Sequence, residues 1–170
     1  WMIDPTVLKA ANFSRSESIE TVLDFSVFSQ KWDSAEAASR MGFENNLQGY
    51  VAEQFVLARL VQAGHSVELP ATSNMAGFDL IVDGTPFQVK CGQSLGLLSE
   101  HFEKYPDIPV IANSELVEKA IDADVEWLQL VHSVEGFGLD PITQMTQTSL
   151  ESGVDLVENS AIMGSVFVTV

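Results

Sequence analysis

Asp83-Gly84 sits between two short apolar runs, and this dipeptide dictates the geometry of everything from Gly77 to Lys90. An Asp-Gly pair flanked by alternating apolar residues is a strong hairpin signal, because a type I′ turn needs positive φ at both central positions. With Asp83 and Gly84 in the turn, Val82 pairs with Thr85, Ile81 with Pro86, Leu80 with Phe87 and Asp79 with Gln88. Side chains alternate between the faces of a strand. Leu80, Val82, Phe87 and Val89 therefore share an apolar side, and Asp79, Gln88 and Lys90 share the other. Directly opposed Cβ atoms lie about 5 Å apart and diagonal ones about 7–8 Å. Pro86 falls in a non-hydrogen-bonded pair, so its missing N–H costs the ladder nothing. The same three polar residues also suit the outer face of a half-solvated hairpin.

A second unusual acid lies upstream. From Asn46 to Ala63, Leu47, Tyr50, Val51, Phe55, Ala58 and Val61 recur at helical spacing. Val56, Leu57 and Leu60 widen the stripe, and a helix apolar over most of its surface is usually buried. Glu53 stands one turn from Tyr50, Leu57 and Leu60. A carboxylate there is costly unless it pairs or meets a cation. The ordinary alternative is a glutamate at the helix edge with its carboxylate in water.

In order, the chain thus carries a helix with Glu53, a strand near Ser66–Leu69, the Asp79 strand and the Gln88/Lys90 strand. Pro109–Ala112 reads as another strand and Ser94–Tyr105 as a helix. Asn113 or Ser114 would cap a helix reaching about Ala123, with Glu115 in its first turn. Glu126–His132 is a further strand candidate.

This arrangement resembles the restriction-endonuclease-like superfamily, written PD-(D/E)XK, over residues 44 to about 131. Asp79 matches the motif aspartate, Gln88-Val89-Lys90 the (D/E)XK positions, and Glu53 the glutamate often supplied by the core helix. Phe78 stands where the motif has proline, and Gln88 replaces a carboxylate. The resemblance implies an α/β fold: a restriction-endonuclease-like core, a central mixed β-sheet flanked by helices in the order α-β-β-β-α-β, with an N-terminal helical addition. It implies a Mg²⁺-dependent nuclease, with Mn²⁺ as substitute, that hydrolyses phosphodiester bonds, with DNA as the expected substrate, in restriction, defence, repair or a toxin role. Asp79, Gln88, the Val89 carbonyl and Glu53 would be the metal ligands. Lys90 would orient the attacking water or stabilise developing charge. The loss of one carboxylate at Gln88 leaves a second reading open: a weak or inactive nuclease-fold module for partner binding or assembly.

Other chemistries find little support. Cys91 is the lone cysteine, so no intrachain disulfide or cysteine zinc site exists. It faces away from Lys90 and reads as a small buried residue. His65, His101 and His132 show no ligand spacing. No Walker loop or dinucleotide fingerprint is present.

Charge limits the nuclease reading. The net charge is −16, with 7 acidic and 4 basic residues in 1–49, 4 and 2 in 50–99, and 13 and 2 in 100–170. Polyanion affinity comes largely from Lys and Arg, so unaided tight binding to long duplexes is not expected. The acidic C-terminal half reads as a solubilising surface, or as a dock for a basic protein partner or further domain.

Residues 1–43 are expected to be a helical addition, 44–135 the core and 136–170 a C-terminal extension. Start signals are Ser14 with Glu17, and Asp33-Ser34-Ala35-Glu36 at capping-box spacing. Residues 140–160 suit helix or loop. Ala161–Val170 carries no charge, yet ten residues are too few to span a bilayer. It reads as a final strand or helix turn, or as the start of a hydrophobic segment if the chain continues past Val170. No secretory signal is legible, and the expected location is cytoplasmic.

Overall fold

The computed structural model describes residues 3–14, 18–70 and 77–166, with side chains described up to residue 159. Two compact units emerge: residues 1–50 with 144–170, and residues 51–143.

The first unit is helical. Helix α1 (Pro5–Ser14) starts with proline at its first position, where a missing N–H costs nothing. Asp4 Oδ1 accepts from Thr6 N at 2.7 Å and acts as its cap. Helix α2 (Val22–Asp33) starts on a full capping box between Thr21 and Asp24. Asp33, expected to open a helix, instead ends α2 and pairs with Arg40 at 3.1 Å. Asp33 has cap spacing, but the helix that Thr21 caps runs through it, and α3 starts only at Ala37. Ser14 closes α1 rather than opening a helix, with its Oγ donating to Ala11 O, and Glu17 lies outside the described residues. The core gathers Val7, Ala10, Ile19, Phe25, Trp32 and Leu47. Phe28 stacks obliquely on Phe43 at 4.6 Å, and Trp32 Nε1 donates to Glu44 at 2.9 Å. A Cβ at Gly153 would run into Ser29, so glycine permits the close approach of α6 (Leu139–Val166) to α2.

Helix α3 (Ala37–Gln62) extends through Tyr50 in the first unit and from Val51 in the second. It begins nine residues before the expected Asn46. Its buried positions are Leu47, Val51, Ala52, Val56 and Leu60. Ala58 and Val61, expected on the apolar face, are exposed. The run is less uniformly buried than its composition suggests, because the last two turns turn one side to solvent.

The second unit is an α/β fold around a five-stranded mixed sheet in the order β1-β2-β3-β4-β5. Strands β1 (Val67–Glu68), β2 (Leu80–Val82) and β3 (Thr85–Lys90) are antiparallel; β4 (Val110–Ala112) and β5 (Val131–His132) continue parallel to β3. Helix α4 (Gly96–Lys104) connects β3 to β4, and α5 (Ser114–Asp122) leads towards β5. Parallel neighbours need such crossovers. The expected strand Glu126–His132 shrinks to two residues, since Leu128–Leu130 form a 3₁₀ turn.

The hairpin has the expected register: Leu80–Phe87, Ile81–Pro86 and Val82–Thr85. Asp83 and Gly84 have φ of 50° and 83°, as a type I′ turn requires. Pro86 precedes the β4 pairing, which begins at Gln88, so its absent N–H breaks no bond. Leu98, Phe102, Val110, Ala112, Leu116 and Ala120 form a core cluster, with Trp127 stacked on Phe102 at 4.7 Å. No described helix is long and apolar enough to cross a membrane.

Candidate active site

Asp79 lies just before β2, where the paired ladder ends at Leu80. The direct Asp79–Gln88 strand pair does not form. Asp79 N instead donates to Phe87 O at 2.8 Å. Its side chain makes the link to β3: Oδ2 accepts from Val89 N at 2.8 Å and from the Gln88 side-chain amide. The hairpin thus hands its carboxylate to the very residues that precede Lys90.

Backbone direction explains Val89. Gln88 N donates to Pro109 O, and Lys90 O accepts from Asn113 N, so both residues turn their main-chain groups towards β4. Val89 turns its own towards β2, where β2 has ended and Asp79 takes the N–H. The Val89 carbonyl points to that same side. Gln88 directs its NH₂ at Asp79, so Oε1 is the end of the amide outside that bond.

Glu53, on α3, joins this group electrostatically. Burial foremost, and then the charge of Asp79, raise its pKa from 4.5 to about 8, against the opposing charge of Lys90. Burial also raises the Asp79 pKa, against the Val89 N–H, Lys90 and Gln88, all of which favour its ionised form. Two poorly solvated carboxylates therefore feel a single ammonium group, that of Lys90. Among the described residues, no three His, Cys, Asp or Glu side chains form a metal-holding group. The oxygen donors here are two carboxylates, an amide and a main-chain carbonyl, a set suited to a hard cation that keeps several waters.

Lys90 and Gln88 also line a cavity of about 370 Å³, whose opposite wall is α4 and its end. His101, Lys104 and Tyr105 stand on that wall. The sequence showed α4 as a helix but not as part of the site. The available signal was their i, i+3, i+4 spacing, which puts all three on one helical face. His101 is buried and donates Nε2–H to Ile108 O at 2.8 Å. Burial, together with Lys90, holds its pKa below the usual imidazole value despite that carbonyl.

The remaining candidates lie elsewhere. His65 pairs with Asp83 at 2.7 Å, and His132 sits edge-on to Phe87 at 5.7 Å. Cys91 is half-buried. Asn113 is fully buried and spans the turn after Lys90: it accepts from Gly92 N at 2.9 Å and donates to Gly92 O at 3.0 Å. Comparison of the chain with protein-family models, curated proteins and solved structures returns no match.

Proposed function

We propose that the protein is a metal-dependent nuclease hydrolysing phosphodiester bonds, in DNA before RNA, with a restriction-endonuclease-like core. The observation that carries this reading is the pair of desolvated carboxylates, Glu53 and Asp79, with the charge of Asp79 acting on Glu53 and that of Lys90 acting on both. The element order α3-β1-β2-β3-α4-β4 supports it as well. Structural ion pairs usually balance their charges when buried; here the second acid can ionise only with its negative charge unmatched, and a bound cation would supply the match.

Asp79, Gln88 Oε1, the Val89 carbonyl and Glu53 are the groups that would hold Mg²⁺, or Mn²⁺ in its place. Bound there, the cation would supply an activated water and offset charge at the reacting phosphate. Asp79 is held in place by the Val89 N–H and the Gln88 amide, so little reorganisation is needed on binding. Lys90 extends from the next position on the same face, where an ammonium group stabilises negative charge developing on the phosphate. Glu53 sits with its proton affinity near neutrality, which lets it take or release a proton at working pH.

Cleavage of single-stranded DNA and of plasmid DNA with Mg²⁺ or Mn²⁺ tests the reading. Wild type should cut, and Lys90→Ala should cut at least a hundredfold more slowly, on the order of one lost charge-stabilising donor. Equal rates for the two proteins, or no cutting by the wild type, would overturn it.

A second reading has its own observation. Two donors of the same chain already satisfy Asp79 Oδ2, which is what a carboxylate serving a non-catalytic assembly module would need. Calorimetric Mg²⁺ titration separates the two: no binding heat from a folded protein favours the module.

A further inference from the structure

We propose that the α4 side of the cleft is a subsite for single-stranded nucleic acid, in which Tyr105 stacks on a base and Lys104 contacts a backbone phosphate opposite Lys90. The proposal rests on the nuclease reading and names the form of substrate that the site accepts.

Basic side chains are scarce, so their placement is informative. Residues 51–143 contain four: Arg59, Lys90, Lys104 and Lys119. Lys119 is engaged with Gln93 O, and Arg59 lies over the Phe55 ring at 5.2 Å. Lys90 and Lys104 both line the same cavity. In a chain of net charge −16, two cationic side chains bordering one cavity concentrate a large share of this unit's positive charge at one place.

Tyr105 gives that space an aromatic wall. Gly77 has φ of +91°, and a Cβ there would meet the Tyr105 ring at 2.9 Å. The glycine therefore lets the ring pack down against the chain two residues before Asp79. His101 holds the ring from another side, with centroids 5.6 Å apart. The half-buried ring still borders the cavity. A fixed aromatic ring beside cationic side chains is the combination that binds single strands, because every base offers a stacking face.

Two features disfavour a duplex. A cavity of about 370 Å³ is at the small end for ligand sites, and suits a nucleotide unit rather than a double helix. Glu100 and Glu103 also line it. A duplex presents closely spaced phosphates on both strands, and these would meet the two glutamates. A single strand can contact the lysines at one phosphate and turn its base inwards to Tyr105.

Fluorescence anisotropy with a labelled oligothymidylate, and with a duplex of equal length, tests this on the whole chain in EDTA, where hydrolysis cannot intervene. The single strand should bind more tightly than the duplex. Lys104→Gln should reduce the slope of log affinity against log salt by about 0.7, the value for one phosphate contact on a single strand. Lys9→Gln, a surface control in the first unit, should leave the slope unchanged. Tyr105→Leu should weaken binding about tenfold, while Tyr105→Phe retains it. An unchanged slope for Lys104→Gln, an equal fall for Lys9→Gln, equal binding of the duplex, or no binding by the wild type would each overturn the proposal. If Tyr105→Leu does not fold, the Lys104 slope and Tyr105→Phe decide. Failure of the wild type to cleave with Mg²⁺ would sink the nuclease reading alone, because these measurements read binding without cleavage.

Discussion

Val89 donates its main-chain N–H to Asp79 Oδ2 at 2.8 Å, so the strand that presents Lys90 also positions the carboxylate beside it. A strand residue with its N–H towards a neighbour that has ended must find another acceptor, and Asp79 provides it. The link joins secondary structure to chemistry: moving β3 moves both charged groups together.

Asp79→Asn should keep this link, since an amide oxygen can accept from Val89 N, while removing the negative charge. Calorimetric titration should show the Mg²⁺ heat abolished. The melting temperature should stay level or rise, because the replaced carboxylate is one whose charge burial disfavours. A retained binding isotherm would remove Asp79 from the candidate ligands.

Glu53→Gln should alter stability in a pH-dependent way. The folded pKa is raised from 4.5 to about 8, so the native state favours the protonated acid. Native stability from this group is therefore complete below pH 4.5, and falls as pH rises towards 8. The variant should match the wild type near pH 4 and exceed it at pH 9, by on the order of 2 kcal/mol once partial solvent access is discounted. Urea unfolding without metal at both pH values checks this. A constant difference across pH would contradict the desolvated environment.

Mg²⁺ binding near pH 7 should release protons. Glu53 holds its proton well above the usual carboxylate range, and a cation needs the ionised form. Titration in two buffers of different ionisation enthalpy should give a release approaching about one proton, which Glu53→Gln removes. Buffer-independent heats would exclude Glu53 as a ligand.

Gly77→Ala should destabilise the protein by on the order of 2 kcal/mol. The position has φ of +91°, and the new methyl would meet the Tyr105 ring at 2.9 Å. Gly84→Ala makes a useful comparison: its φ is +83°, yet nothing lies within 4 Å. The alanine at Gly77 should cost more, and equal costs in chemical denaturation would show that Tyr105 yields freely.

Asn113→Ala should cost about 2 kcal/mol, since it leaves both main-chain groups of the half-buried Gly92 without their partner. Denaturant unfolding measures the cost. A loss under ~0.5 kcal/mol would mean that the turn after Lys90 re-forms its bonds elsewhere.

The chain alone determined the hairpin. Asp83-Gly84 prescribes its turn, and alternation then assigns Asp79, Gln88 and Lys90 to a common side, because a two-residue loop leaves only one register. Helical spacing likewise revealed the Glu53 helix, though not its start at Ala37 or the exposure of Ala58 and Val61. Those depend on which faces neighbouring elements cover. Tertiary structure alone decided that Asp79 reaches Val89 through its side chain rather than through the ladder, since the pairing stops one residue short. It alone brought α4 over β3 and set Lys104 and Tyr105 beside Lys90. Local sequence specifies turns and periodicity within a few residues; groups 14 or 15 positions apart share a cleft only once the crossover helix has packed against the sheet.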